Sequence, residues 1–141
     1  MPRGLRGWIA VGLLGVVWAC AGTPGPGETG YPFNISGAYE GEVAVEGQAF
    51  SFELEVQTQP GGAFEGTYAV SSPIGMSGPV TGMVVADTAT FSLEYMNPMD
   101  GCGGTLEATG RVETGGDAFA GRVRVNDSCG GLLSGSFSMR R

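Results

Sequence analysis

Carboxylates and cysteines are the residues of this chain that could do chemistry. The sequence has 14 Asp and Glu, no His and, because all seven basic residues are Arg, no Lys. Without imidazole or amine groups, general acid–base catalysis would need a pair of carboxylates. The candidate pairs are Glu53 with Glu94 and Asp100 with Asp127. Glu53 and Glu94 alternate with apolar residues, which is typical of a solvated face, so we expect no catalytic residues and no enzyme activity.

Asp100 and Asp127 also suggest a cation site. Each precedes a cysteine by two residues, and Asn97 and Asn126 lie close to them in the sequence. Carboxylate and amide oxygens are ligands for Ca²⁺. The spacing of a known calcium loop is absent, however, and Asp and Asn are ordinary turn residues. Asp100 and Asp127 therefore stay a calcium candidate by residue type alone, and we expect no metal and no cofactor.

The first twenty residues predict export. A basic start, MPRGLR, precedes an apolar run over residues 8–18. This run is shorter than the roughly 20 residues that cross a bilayer as a helix, but it fits the apolar region of a signal peptide. It ends in VWAC at 17–20, which resembles the signal of bacterial lipoproteins, where a small residue precedes a lipidated cysteine. The alternative is an ordinary cleaved signal with a chance cysteine.

The lipoprotein resemblance implies a signal peptide over 1–19 and a mature N-terminus at Cys20. Two or three acyl chains such as palmitate would anchor the protein stably in a membrane. Ala21 follows the cysteine, and the absence of Asp at this position favours the outer membrane over the inner membrane. Residues 20–33 are the lipidated cysteine and a tether rich in Gly and Pro, a composition typical of linkers.

Cys102 and Cys129 remain after lipidation of Cys20. Glycines follow both, in the segments GCGG and CGG, and would let the two backbones approach within bridging distance. An exported protein meets an oxidising compartment. A metal site would need His or further Cys, and redox pairs usually have C-x-x-C spacing. The sequence therefore predicts a structural disulfide between Cys102 and Cys129.

Alternation of apolar and polar residues predicts strands throughout residues 34–141. The clearest alternation is FSFELEV at 50–56, and other segments place Gly two residues before an apolar residue on the same face. Glycines on an inner face let strands bend and let large neighbours approach. The predicted strands cover residues 35–46, 48–58, 64–71, 79–85, 88–96, 105–113, 118–126 and 132–139.

Short connections favour antiparallel pairing of successive strands. We therefore predict an all-β domain, an eight-stranded antiparallel up-and-down meander β-barrel, with a two-sheet β-sandwich as the alternative. Cys102 and Cys129 then lie at one end of the barrel, and the tether enters at the other. The Gly-x-aromatic starts, as in NISGAY at 34–39, resemble small calycin-type barrels of the lipocalin and avidin kind, which implies the same barrel architecture.

The loops at the disulfide end carry apolar residues that suggest a ligand or partner rim, or else a plug for the barrel end. Methionine side chains make adaptable contact surfaces. We expect a filled core, because a chain of this length divided among eight strands makes a narrow barrel. The candidate rim residues are Ile74, Met76, Tyr95, Met96 and Met99.

The charge after residue 20 argues against nucleic acid. Five of the seven Arg and all 14 acidic residues lie there, which gives 5 − 14 = −9, and binding to phosphates needs basic groups. We predict a monomeric lipoprotein of the bacterial cell envelope, a non-enzymatic binding or interaction module that displays one loop rim away from the membrane. Its partner would be an envelope protein or a small apolar ligand. A structural surface lipoprotein and a periplasmic protease inhibitor are the alternatives.

Overall fold

In a computed structural model of the protein, residues 22–141 are described and form a closed barrel of eight strands. Each strand pairs antiparallel with the next, and β8 returns to pair with β1. The predicted meander barrel is therefore confirmed. The strands are β1 Ser36–Val45, β2 Gln48–Thr58, β3 Ala63–Ser72, β4 Met76–Val85, β5 Thr88–Met96, β6 Gly103–Val112, β7 Ala118–Asp127 and β8 Gly131–Arg140.

The largest difference between predicted and observed strand bounds lies at the start of β4. The sequence predicts a start at residue 79, whereas β4 begins at Met76. Met76 pairs with Val70 and Ser77 with Ala69 of β3, so hydrogen bonding to a long neighbour extends β4 through residues with little strand propensity of their own.

Glycines on the inner face make room for aromatic rings. A Cβ atom added to Gly82 would overlap the ring of Phe64, and one added to Gly110 would overlap the ring of Phe137. Both rings are buried. The alternation of small and large residues therefore lets the strands curve around a tightly packed core.

Aromatic side chains fill the half of the barrel that is nearest to residues 24–34. Phe119 packs edge-on against Tyr39, with ring centroids 5.0 Å apart, and against Phe137, with centroids 5.8 Å apart. Phe91 packs against Phe137 in the same way, at 5.4 Å. Such edge-to-face pairs stabilise a core beyond the area that they bury. We call Tyr39, Phe91, Phe119 and Phe137 the aromatic cluster.

Residues 24–34, all but the last of which belong to the segment predicted as a tether, lie across the end of the barrel next to this cluster. The carbonyl of Pro26 accepts a hydrogen bond from the Gly61 amide at 3.0 Å, and the Tyr31 hydroxyl donates to the carbonyl of Ala86 at 2.6 Å. The Pro32 carbonyl accepts from the Gly115 amide at 2.8 Å. The segment thus contacts the β2–β3, β4–β5 and β6–β7 connections, and we call this end of the barrel the closed end.

Residues 22–141 contain what an independent domain needs. The ring of strand pairing is complete, and within this part of the chain no buried side-chain nitrogen or oxygen lacks a hydrogen-bond partner. A domain with its own core and satisfied polar groups can fold by itself. Among the described residues, no helix has the length and hydropathy to cross a membrane. The predicted signal peptide and Cys20 lie outside the described residues.

Candidate functional site

A cavity of about 320 Å³ opens at the end of the barrel opposite the closed end. We call this end the mouth. The volume lies in the range, roughly 300 to 1,000 Å³, of pockets that hold small molecules. The expected filled core is therefore found only in the closed half. Short inward side chains near the mouth, among them Val70, Leu93 and Val125, leave volume that the aromatic rings of the same lining do not fill.

The deeper wall of the cavity is apolar. Its one polar group, the Tyr68 hydroxyl, donates a hydrogen bond to the backbone carbonyl of Glu94 at 2.7 Å and so is already satisfied. Phe52 stacks on Tyr68 with ring centroids 5.6 Å apart. A ligand that reaches this depth meets mainly hydrocarbon and aromatic surface. The buried lining residues include Phe52, Tyr68, Val70, Leu93, Leu106 and Val125.

The disulfide borders the mouth. Cys102 and Cys129 are bonded, with Cα atoms 5.7 Å apart, as the sequence predicts. They connect the β5–β6 loop to the β7–β8 loop and line the cavity. Glycines follow both cysteines, and Gly103 and Gly131 begin β6 and β8. The bridge therefore holds two neighbouring loops together at the rim.

Asp100 and Asp127 each organise the turn of the cysteine that follows. One oxygen of Asp100 accepts a hydrogen bond from the Cys102 amide at 2.8 Å, and one oxygen of Asp127 accepts from the Cys129 amide at 2.8 Å. These are the local bonds that make Asp a turn residue. The Asp127 carboxylate also lies within 4.8 Å of both sulfur atoms, but disulfide sulfurs are not thiolate ligands. Turn formation accounts for both aspartates without a cation.

Two of the five candidate rim residues line the cavity, namely Met76 and Tyr95. Ile74 is half-buried but lies outside the lining, and Met96 and Met99 are 62% and 80% exposed. The five residues therefore form neither a complete plug nor a single binding rim. Met96 is exposed because it follows the inward-facing Tyr95 on β5 and so points outward.

The other carboxylate pair considered for catalysis is not brought together. Glu53 and Glu94 are exposed, on β2 and β5, and the strands β3 and β4 separate them around the barrel. Their alternation with buried neighbours places both side chains on the outer face. Neither glutamate lines the cavity.

A hydrogen bond from Tyr95 to Asp127 ties the cavity wall to the rim. Burial raises the pKa of Tyr95 above its ordinary value, and the hydrogen bond to Asp127 raises it further. The pKa of Asp127 lies below its ordinary value, mainly because of the Tyr95 hydroxyl and then because of the Gly130 and Cys129 amides. Hydrogen bonds to the ionised form produce such a shift, so Asp127 stays charged at neutral pH.

The variant Tyr95→Phe is expected to raise the pKa of Asp127 towards its ordinary value. The native carboxylate stabilises the fold at pH values above the ordinary carboxyl pKa, and this contribution is lost as pH falls through the lowered native pKa. NMR titration of the Asp127 carboxyl carbon measures the shift directly. Tyr31→Phe, at the closed end, is the matched control and should leave the Asp127 titration unchanged. An unchanged pKa in Tyr95→Phe would contradict the assigned cause.

Comparisons with known proteins identify no family for this chain. The chain matches no protein-family model, no curated protein and no solved structure. The cavity, its apolar wall and its charged mouth are therefore the basis for a functional interpretation.

Proposed function

We propose that this protein is a lipid-anchored binding protein of a bacterial cell envelope, which holds a small, largely apolar molecule in the mouth cavity. The observation that carries the proposal is a cavity of about 320 Å³ that is open at one end and apolar in its depth. The lipid anchor rests on the VWAC motif at 17–20. We also propose a calycin-type relationship, which the closed eight-stranded meander supports.

The position of the N-terminal segment gives the proposed binding site an orientation. Residues 24–34 cross the closed end, and the cavity opens at the opposite end. A lipid on Cys20 would therefore place the closed end towards the membrane and the mouth towards the surrounding compartment. A ligand or a donor protein could then reach the cavity without displacing the anchor.

Burial of an alkyl chain would supply most of the favourable free energy of binding. Each methylene that leaves water contributes about 0.8 kcal/mol. Complete burial of a ten-carbon chain such as that of decanol would therefore contribute about 8 kcal/mol, from which the cost of association must be subtracted. The half-buried Val45, Phe50 and Leu133 extend the apolar lining towards the mouth, so the chain need not enter the deepest part completely.

Val125→Phe is expected to abolish decanol binding while it leaves the barrel folded. Val125 is buried and lines the cavity, so the larger side chain can occupy the empty volume. Overpacking of a filled core costs about 1–3 kcal/mol, and we expect a smaller loss here because the ring enters free space. Isothermal titration calorimetry with residues 22–141 measures binding, and urea unfolding measures stability.

Asn126→Phe is the matched control for Val125→Phe. Asn126 is the next residue on β7 and is exposed, so this variant adds a similar ring outside the barrel. It should bind decanol as the parent protein does. If the parent binds no apolar probe, or if both variants lose binding equally, the proposed function is wrong.

A further inference from the structure

The mouth of the cavity carries charge of one sign. Glu46, Asp100 and Asp127 line it, and among residues 22–141 no Arg does so. Arg141 lies at the closed end, where it pairs with Asp117 at 2.7 Å and donates to the carbonyl of Ser36. The remaining Arg residues of the barrel are exposed, on β6, β7 and β8: Arg111, Arg122, Arg124 and Arg140.

The partners of these carboxylates at the mouth are neutral. Glu46 accepts a hydrogen bond from the Ser134 amide at 3.2 Å, and Asp100 accepts from the Cys102 amide. Asp127 accepts only from the Tyr95 hydroxyl and from backbone amides. Neutral donors stabilise a carboxylate but do not cancel its charge. The hydrogen-bond partners of the three mouth carboxylates therefore leave their negative charge in place.

The apolar depth and the negative entrance lie in the same cavity. The rings of Phe50 and Tyr95 line it between these two regions. Aromatic faces attract cations as well as hydrocarbon, whereas an anionic headgroup at this entrance would meet charges of its own sign. The charge of a ligand's headgroup at the mouth would therefore affect its affinity for the cavity.

We propose that the ligand is a cationic amphiphile, with its hydrocarbon part in the cavity and a protonated amine at the mouth, which Asp100, Asp127 and Glu46 line. This inference rests on the proposed function, since it assigns the ligand class of the same cavity. The amine would replace part of its hydration with carboxylate oxygens at the rim and would stay accessible to solvent.

Three probes with the same chain and different headgroups test the proposal. Residues 22–141 are titrated calorimetrically at pH 7 and low ionic strength with decylamine, decanol and decanoate. We expect decylamine to bind about tenfold more tightly than decanol, and decanoate to bind most weakly. Added salt should reduce the preference for the amine, because it screens charges at an exposed mouth.

A pair of charge-removing variants locates the effect. In Glu46→Gln combined with Asp100→Asn, the preference of decylamine over decanol should fall to about threefold, because Asp127 keeps one of the three charges at the mouth. Decanol binding in the same variant reports whether the cavity is still formed. The matched control, Glu53→Gln combined with Glu94→Gln, removes two charges from the outer face and should keep the preference.

The outcomes separate this inference from the proposed function. If all three probes fail to bind, the proposed function fails and the ligand class fails with it. If decanol or decanoate binds as tightly as decylamine, the cavity binds ligands but the cationic class is wrong. An amine preference that is undiminished in the Glu46→Gln, Asp100→Asn protein would also overturn the role of the mouth carboxylates.

Discussion

Replacement of Phe119 by alanine is expected to lower the free energy of unfolding by about 4 kcal/mol. Phe119 is 1% exposed and packs against Tyr39, Phe91 and Phe137 within the aromatic cluster. Its removal would leave a cavity with rings on several sides, and the surrounding barrel cannot collapse into it, because closed strand pairing fixes the wall. Urea unfolding followed by circular dichroism measures the change.

Phe50→Ala is the informative control for Phe119→Ala. Phe50 is half-buried and lines the existing cavity, so it has fewer packing partners to lose. We expect the free energy of unfolding to fall by about 1–2 kcal/mol, because the ring of Phe50 buries less apolar area than that of Phe119. We also expect weaker binding of decanol. Equal losses in the two variants would show that the closed half and the mouth half are packed alike, contrary to the structure.

Removal of the disulfide is expected to have the second largest effect. The variant with both Cys102→Ser and Cys129→Ser should lose about 3–4 kcal/mol of unfolding free energy. The bridge connects residues 27 positions apart, and its loss lets the unfolded chain sample many more conformations. The barrel should still close, because the bridge lies at the rim and the strand pairing does not depend on it.

Reduction of the parent protein provides the control for the disulfide. Dithiothreitol should destabilise the parent by an amount similar to that of the double Ser variant, and it should leave the variant unchanged. A parent protein that unfolds at the same urea concentration with and without reductant would contradict the assigned contribution. Decanol titration of the reduced parent would show whether the loops at the mouth need the bridge to keep the cavity formed.

The barrel could be predicted from the sequence because its rules are local. The alternation over 50–56 already assigns one face of β2 to the interior, and short turns join successive strands. The disulfide followed from the same topology, since it places Cys102 and Cys129 at one end. Each of these inferences uses only neighbours along the chain or the rule that successive connections alternate between the two ends of the barrel.

The cavity could not be predicted in this way. Alternation assigns Val125 and Phe119 to the same interior, yet one lines a cavity and the other fills the core. The difference depends on the summed volumes of inward side chains from all eight strands at one height of the barrel, which requires the register. Met96 is a different case, because alternation from the inward Tyr95 already indicates its outward position.

The docking of residues 24–34 onto the closed end also could not be predicted from the sequence. A composition of Gly and Pro without periodicity indicates a linker, and it does not reveal which hydrogen bonds the segment makes. Tyr31 and Phe33 were the available signal, since aromatic residues are unusual in a flexible spacer. Both pack against the core in the structure, with ring centroids 5.8 Å apart.

If the proposed lipid anchor is present, this docking shortens the linker between the barrel and the membrane. If Cys20 is acylated as proposed, only three residues separate it from Pro24, and the distance from Cys20 to Pro24 is at most about 14 Å. The barrel would then lie close to the lipid headgroups and would rotate little relative to the membrane. A force applied to the anchor would be distributed over the β2–β3, β4–β5 and β6–β7 connections at the closed end and would not separate β1 from β2 and β8.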